Sequence, residues 1–160
     1  MGARARAGLL AAALLLGACA SPPIETDVVA DARRPDAVAA APGSATGQVL
    51  WGGVIVETRN VGEDSEIEVL AYPLDRRQRP MTGRPSEGRF LVVAEGYVES
   101  VDYAPGRLLT VLGALDGVVE GRIGETRRDF PRVRSGTLHL WRPGEPGAAP
   151  RFSVGIGLGL

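Results

Sequence analysis

From Gly47 onward the chain is written in short apolar runs broken by glycine, proline and charged turns, and that punctuation excludes most folds. Gln48 to Thr58 (QVLWGGVIVET) is the first run, and its Gly52-Gly53 pair predicts a bulge or a sharp bend. Glu66 to Tyr72 alternates: Ile67, Val69 and Ala71 fall on one face, Glu66 and Glu68 on the other. Arg89 to Glu95, Leu108 to Leu115, Val118 to Gly124 and Thr137 to Trp141 complete six strand candidates. No amphipathic helical period lies between them, so the expected class is all-β. An open sheet this small would leave exposed edges, which closure removes. The expected architecture is therefore a small OB-like Greek-key β-barrel of five to six strands, preferred over a sandwich. The last residues, SVGIGLGL, read either as one more strand or as a glycine-rich tail.

The N-terminus carries a different signal. Arg4 and Arg6 precede an unbroken apolar run from Leu9 to Leu16, and Gly17-Ala18-Cys19 follows as a small-residue cleavage region. That order is the layout of a secretory signal. The run is about half the ~20 residues a helix needs to cross a bilayer core, so a permanent span is not expected. Leu16-Gly17-Ala18-Cys19 looks like a lipobox, with cleavage between Ala18 and Cys19. The chemistry asks for those residue types: small side chains let the extended segment enter a peptidase groove, and only a thiol carries a thioether-linked lipid. Ala20 stands where sorted lipoproteins retained at the inner membrane carry Asp, which points to the outer membrane. One acyl chain binds marginally and two or more bind stably, so the mature chain should stay on the membrane.

These readings divide the chain into a signal peptide (1–18), a lipidated N-terminus and flexible tether (19–46), a barrel (47–142) and a Gly/Pro-rich tail (143–160) that holds the extra strand if there is one. The tether is rich in Ala and Pro, with a flexible reach of roughly 30 Å. Within it, Asp27 could open one short helix that Pro35 stops, packing as a lid on the barrel.

Charge and cysteine count narrow the function. All 18 basic residues are arginine, against 19 acids. Removing Arg4 and Arg6 with the leader leaves 16 arginines and a formal charge of −3. No basic tract stands out, which argues against a nucleic-acid partner. The single cysteine is consumed by lipid and His139 is the one histidine, so neither a His-based zinc site nor a Cys cluster can be assembled, and neither metal nor cofactor is expected.

The runs taken in order bring a family into view. WGGVIVETRN (51–60), IEVLAYPLD (67–75), the GRP and SEGRFL of 83–91, YAPGRLLTVLG (103–113), GRIGE (121–125), FPRV (130–133) and LHLW (138–141) resemble the Slp-type outer membrane lipoproteins, a family named for a starvation-inducible member. The resemblance covers the whole chain. Phe130 stands where Tyr would be more usual, and Thr58-Arg59 where a Glu-type residue is expected before Asn60. The resemblance implies a location and a fold type, a lipid anchor in the outer membrane, and no reaction; the periplasmic face of that membrane is the expected side, with surface exposure left open.

Several constellations remain to be weighed. Glu66 and Glu68 project from one strand face and could act as a carboxylate pair, but such chemistry needs one of them desolvated, and alternation puts both on the polar face. His139 alternates with Leu138 and Leu140 and has no sequence-local partner for general-base work. Gly121 to Gly124 lacks the strand–loop–helix setting of a phosphate cradle. Arg76, Arg77 and Arg79, with Arg84 and Arg89 nearby, could join Trp51 and Tyr72 as a stacking groove for an anionic glycan or lipid head group. Three hypotheses follow. The first is a non-catalytic envelope module touching membrane lipid through its acylated N-terminus, with an envelope protein or glycan as a further partner. The second is an OB-like binding module, and the third a hydrolase using unseen carboxylates.

Overall fold

The computed structural model describes residues 22–25, 30 and 32–144. Five strands form a closed barrel: β1 (Gln48–Val61), β2 (Asp64–Ala71), β3 (Arg89–Glu95), β4 (Leu108–Ile123) and β5 (Thr126–Leu140), in the order β1-β2-β3-β5-β4 with β4 returning to β1. β4, β1, β2 and β3 are therefore spatial neighbours in the 4-1-2-3 order of a Greek key. Every pairing is antiparallel except the seam between β3 and β5, where Leu91, Val92 and Val93 run parallel to Arg132, Val133 and Arg134.

The alternation of β2 is realised residue by residue. Ser65, Ile67, Val69 and Ala71 are buried, while Glu66, Glu68 and Leu70 face outward. Inside, these meet Val49, Trp51 and Ile55 of β1, Phe90 and Val92 of β3, Leu109 and Val111 of β4 and Val133 of β5. The Trp51 and Phe90 rings meet edge to face with centroids 5.3 Å apart, a favoured aromatic geometry.

The glycine pair of β1 is not the bulge. The register slips instead between Ile55 and Glu57. Gly52 and Gly53 mark the place where β1 exchanges partners, pairing with β4 as far as Val54 and with β2 from Gly53. A Cβ at Gly52 would stand 2.7 Å from the Leu109 carbonyl oxygen, and one at Gly53 would collide with the Leu70 carbonyl. Close approach of two backbones is what requires glycine here.

Six candidate runs become five strands by one merger, and β5 is longer than its run. Leu108–Leu115 and Val118–Gly124 belong to one strand, β4, whose pairing shifts between Leu115 and Val118. The stretch from Thr126 to Gly136 (TRRDFPRVRSG), which lacks apolar alternation, is the first half of β5. Its Pro131 pairs with Val118 at that register shift, where a missing N–H disrupts the ladder least.

The N-terminal segment departs from the tether expectation. The expected helix start at Asp27 lies outside the described residues; helix α1 (Pro35–Ala40) begins at Pro35, with proline in the first turn where its missing N–H costs nothing. Residues 32–34, just before it, are not helical. Val38 and Ala45 are buried in the barrel core, and the Trp51 indole Nε1 donates to the Arg33 carbonyl at 2.8 Å. Residues 33–45 thus plug the barrel, because its interior aromatics need both apolar cover and a hydrogen-bond acceptor. The SVGIGLGL segment lies outside the described residues.

Candidate functional site

The connection between β2 and β3 carries most of the residues singled out for binding. Its turn is set by Asp75, whose Oδ1 accepts from the amides of Arg77 and Arg79 at 2.8 and 2.9 Å. Gln78 takes a positive φ of 63°, and Leu74 bridges to Pro80. An aspartate holding the amides that follow it is a local turn former.

That turn sorts its arginines. Arg76 and Arg77 are exposed, as is Arg84 further along. Arg79 is 4% exposed and lies over the Trp141 ring, 4.7 Å from its centroid, a cation–π contact in a dry setting. The Trp141 Nε1 donates to the Thr110 hydroxyl at 2.9 Å, and that hydroxyl donates to the Gln78 carbonyl at 2.7 Å. The Gln78 side chain also grips the N-terminal segment. Its Oε1 accepts from the Ile24 amide at 3.0 Å and its Nε2 donates to the Ile24 carbonyl at 2.9 Å. Ile24 itself is 2% exposed.

Trp51 and Tyr72 meet elsewhere. Both line a cavity of about 440 Å³ beside α1, together with Leu50, Leu74, Arg34 and Glu87. Burial raises the Glu87 carboxyl above its ordinary range; Arg34 opposes the shift and Asp36 adds to it. Burial likewise raises the Tyr103 phenol, helped by Asp102 and opposed by Arg107. Of the five residues in the expected groove, the structure brings Trp51 and Tyr72 to the cavity, puts Arg79 under the turn and leaves Arg76 and Arg77 facing solvent. Trp51 is a core ring and not a stacking surface. Ala18 and Cys19 lie outside the described residues.

Two of the three carboxylates of β2, Glu66 and Glu68, are matched to arginines. Glu66 pairs with Arg59 at 3.4 Å, and Glu68 with Arg89, both of the latter side chains largely covered. Asp116 receives both Arg132 and Arg134, at 3.0 and 3.1 Å. His139 meets Trp141 edge to face with ring centroids 4.5 Å apart. Sequence reasoning missed Ile24, Gln78, Thr110 and Trp141 as one knot. Only the polar Gln78 amid arginines in a turn hinted at it.

Fold and site together define a small barrel whose interior is filled by its own side chains and whose acids Glu66, Glu68 and Asp116 are tied to arginines on the outer surface. The chain belongs to the outer membrane lipoprotein Slp family, whose sequence profile matches residues 16–154, and the outer membrane is its location. It is 34% identical over 128 residues to the uncharacterized lipoprotein YeaY of Escherichia coli (strain K12), covering 77% of this chain and 66% of that protein. An uncharacterized protein of Haemophilus influenzae is 33% identical over 94 residues, 58% of this chain and 51% of its own length. Outer membrane protein Slp of Escherichia coli (strain K12) is 28% identical over 140 residues, 83% of this chain and 72% of that protein. The matched part of the chain thus spans about two thirds of YeaY and about half of the Haemophilus protein.

Proposed function

We propose that the chain is a non-catalytic module of the cell envelope, cleaved between Ala18 and Cys19 and held at the periplasmic face of the outer membrane by lipid on Cys19, where it supports envelope integrity under stress. The observation that carries this reading is the state of the acids. A general acid needs a carboxyl held out of water and away from cations, whereas Glu66 and Glu68 each face an arginine on the outside of the barrel, and Glu87, which burial raises, has the Arg34 charge opposing it. Among the described residues no group of three or more His, Cys, Asp or Glu is arranged to hold a metal. The matched stretch begins at Leu16 and so includes the Leu16–Cys19 motif. Among the described residues no helix is long and apolar enough to cross a membrane.

Cys19→Ala tests the anchor. The substituted protein is expected to leave the outer membrane fraction, and the mass of the wild-type mature chain to match an acylated cysteine at its start. Retention of Cys19→Ala on outer membranes would overturn the anchoring. Hydrolysis of a cell-wall glycan that is abolished by Glu66→Gln or Glu68→Gln would overturn the non-catalytic reading.

A further inference from the structure

We infer that the barrel docks on the bilayer through one face: the connection between β2 and β3 lies against the phosphates of the lipid head groups, with Arg76, Arg77 and Arg84 as its contacts. The inference rests on the Cys19 anchor proposed above and adds an orientation to it.

Three observations lead there. The first is the length of the leash. Ile24 is fixed to the barrel, buried and bonded through both backbone polar groups to the Gln78 side chain. Four residues, Ala20 to Pro23, separate it from Cys19. At no more than about 3.6 Å per residue, a lipid-bearing Cys19 stays within ~18 Å of Ile24. A free tether of residues 19–46 would have let the barrel tumble; this one holds the neighbourhood of Gln78 next to the bilayer.

The second is what surrounds Gln78. Arg77 is its chain neighbour, and Arg76, Arg77 and Arg84 are exposed, unlike Arg89 and Arg132, which are held by Glu68 and Asp116. The nearest acid in the turn, Asp75, is turned onto amides of its own loop. Head-group charge is felt over ~8 Å at physiological salt, and a leash this short lets these guanidinium groups come within that range.

The third is the charge at the other end of β2. The β1–β2 turn, the strand ends beside it and the start of the β3–β4 connection carry Glu63, Asp64, Glu95 and Glu99. The eight residues of β2 put roughly 25 Å between that acidic end and the start of the arginine loop. An anionic surface attracts the one and repels the other, so a protein of formal charge −3 still has a face that fits anionic lipid. The acidic end also exposes Val61, Tyr97 and Val101, which makes it the rival docking face.

The test uses the lipidated full chain in phosphatidylethanolamine–phosphatidylglycerol vesicles. Cys19 is the only cysteine and its thiol is taken by lipid, so one introduced cysteine accepts a fluorophore cleanly. Gly83→Cys labels the arginine loop, where an added Cβ meets nothing, and Ser100→Cys labels the acidic end. A nitroxide on the lipid head group is expected to quench the Gly83 label several-fold more than the Ser100 label. Each arginine near such a surface strengthens association about fivefold, so Arg76→Ala with Arg77→Ala should lower the docked fraction relative to the undocked by roughly 25-fold. Both positions are exposed, so the melting temperature should not change. Equal quenching at the two labels, or stronger quenching at Ser100, in a chain whose mass proves acylation would overturn the docking and leave the anchor standing. A chain without acyl groups would overturn both, and the mass spectrum tells the two failures apart.

Discussion

A methyl group added at Gly53 would run into the carbonyl and a side chain of the strand beside it, Leu70 and Val69. A backbone carbonyl cannot rotate away, so Gly53→Ala is expected to cost about 1–3 kcal/mol, the range for overfilling a packed site. Gly43→Ala is the control, because nothing lies within 4 Å of its would-be Cβ. Thermal melts of the two variants should differ by several degrees. Glu87 makes a separate residue-scale prediction. Its carboxyl is raised by burial, so the folded state favours the protonated form. Stability from this group is full below the ordinary carboxylate range and is lost as pH rises through the raised value. Glu87→Gln should therefore raise the melting temperature near neutral pH, with the gain disappearing toward about pH 4. A gain that instead grew on acidification would reverse the sign of the argument.

At the scale of elements, the segment before β1 decides most. Its composition, rich in alanine and proline, reads as a tether because it holds few large apolar groups. The few it has are spent well: Ile24, Val38 and Ala45 are all buried. A short helix cannot be stable alone, so α1 exists because the end of the barrel needs Val38 and Trp51 needs the Arg33 carbonyl. Deleting residues 32–46 should expose that end. The expected result is a broad melt of lower midpoint and strong binding of an apolar dye, whereas a true tether would be removed with neither change. β5 teaches a related lesson. Its first half carries four arginines, an aspartate and a proline, and it is a strand because β4 supplies a partner along its whole length.

For the whole molecule, closure rests on the parallel seam of three residue pairs between β3 and β5. Val133 sits at its centre, opposite Val92, with both side chains fully buried. Val133→Ala should cost about 2 kcal/mol through the cavity it leaves. Because the strands share one interior, the loss should appear as a single cooperative transition shifted downward, read alike by near-ultraviolet and far-ultraviolet signals. Two separated transitions would mean that the seam and the rest of the barrel unfold independently.

Sequence alone determined the β class, the bounds of β3, the inward face of β2 and the kinship with a lipoprotein family. Those are local or periodic properties: alternation, turn residues, and motifs in a fixed order. Tertiary structure decided the merger of two runs into β4, the plug made from an apparent tether, and the fate of the arginines and aromatics read as one groove. Trp51 went inward because the barrel needed a ring against Phe90, and Arg79 went under the turn because Trp141 offered it a face. No local pattern encodes these last two choices, since each depends on a partner 39 or more residues away being brought alongside by closure.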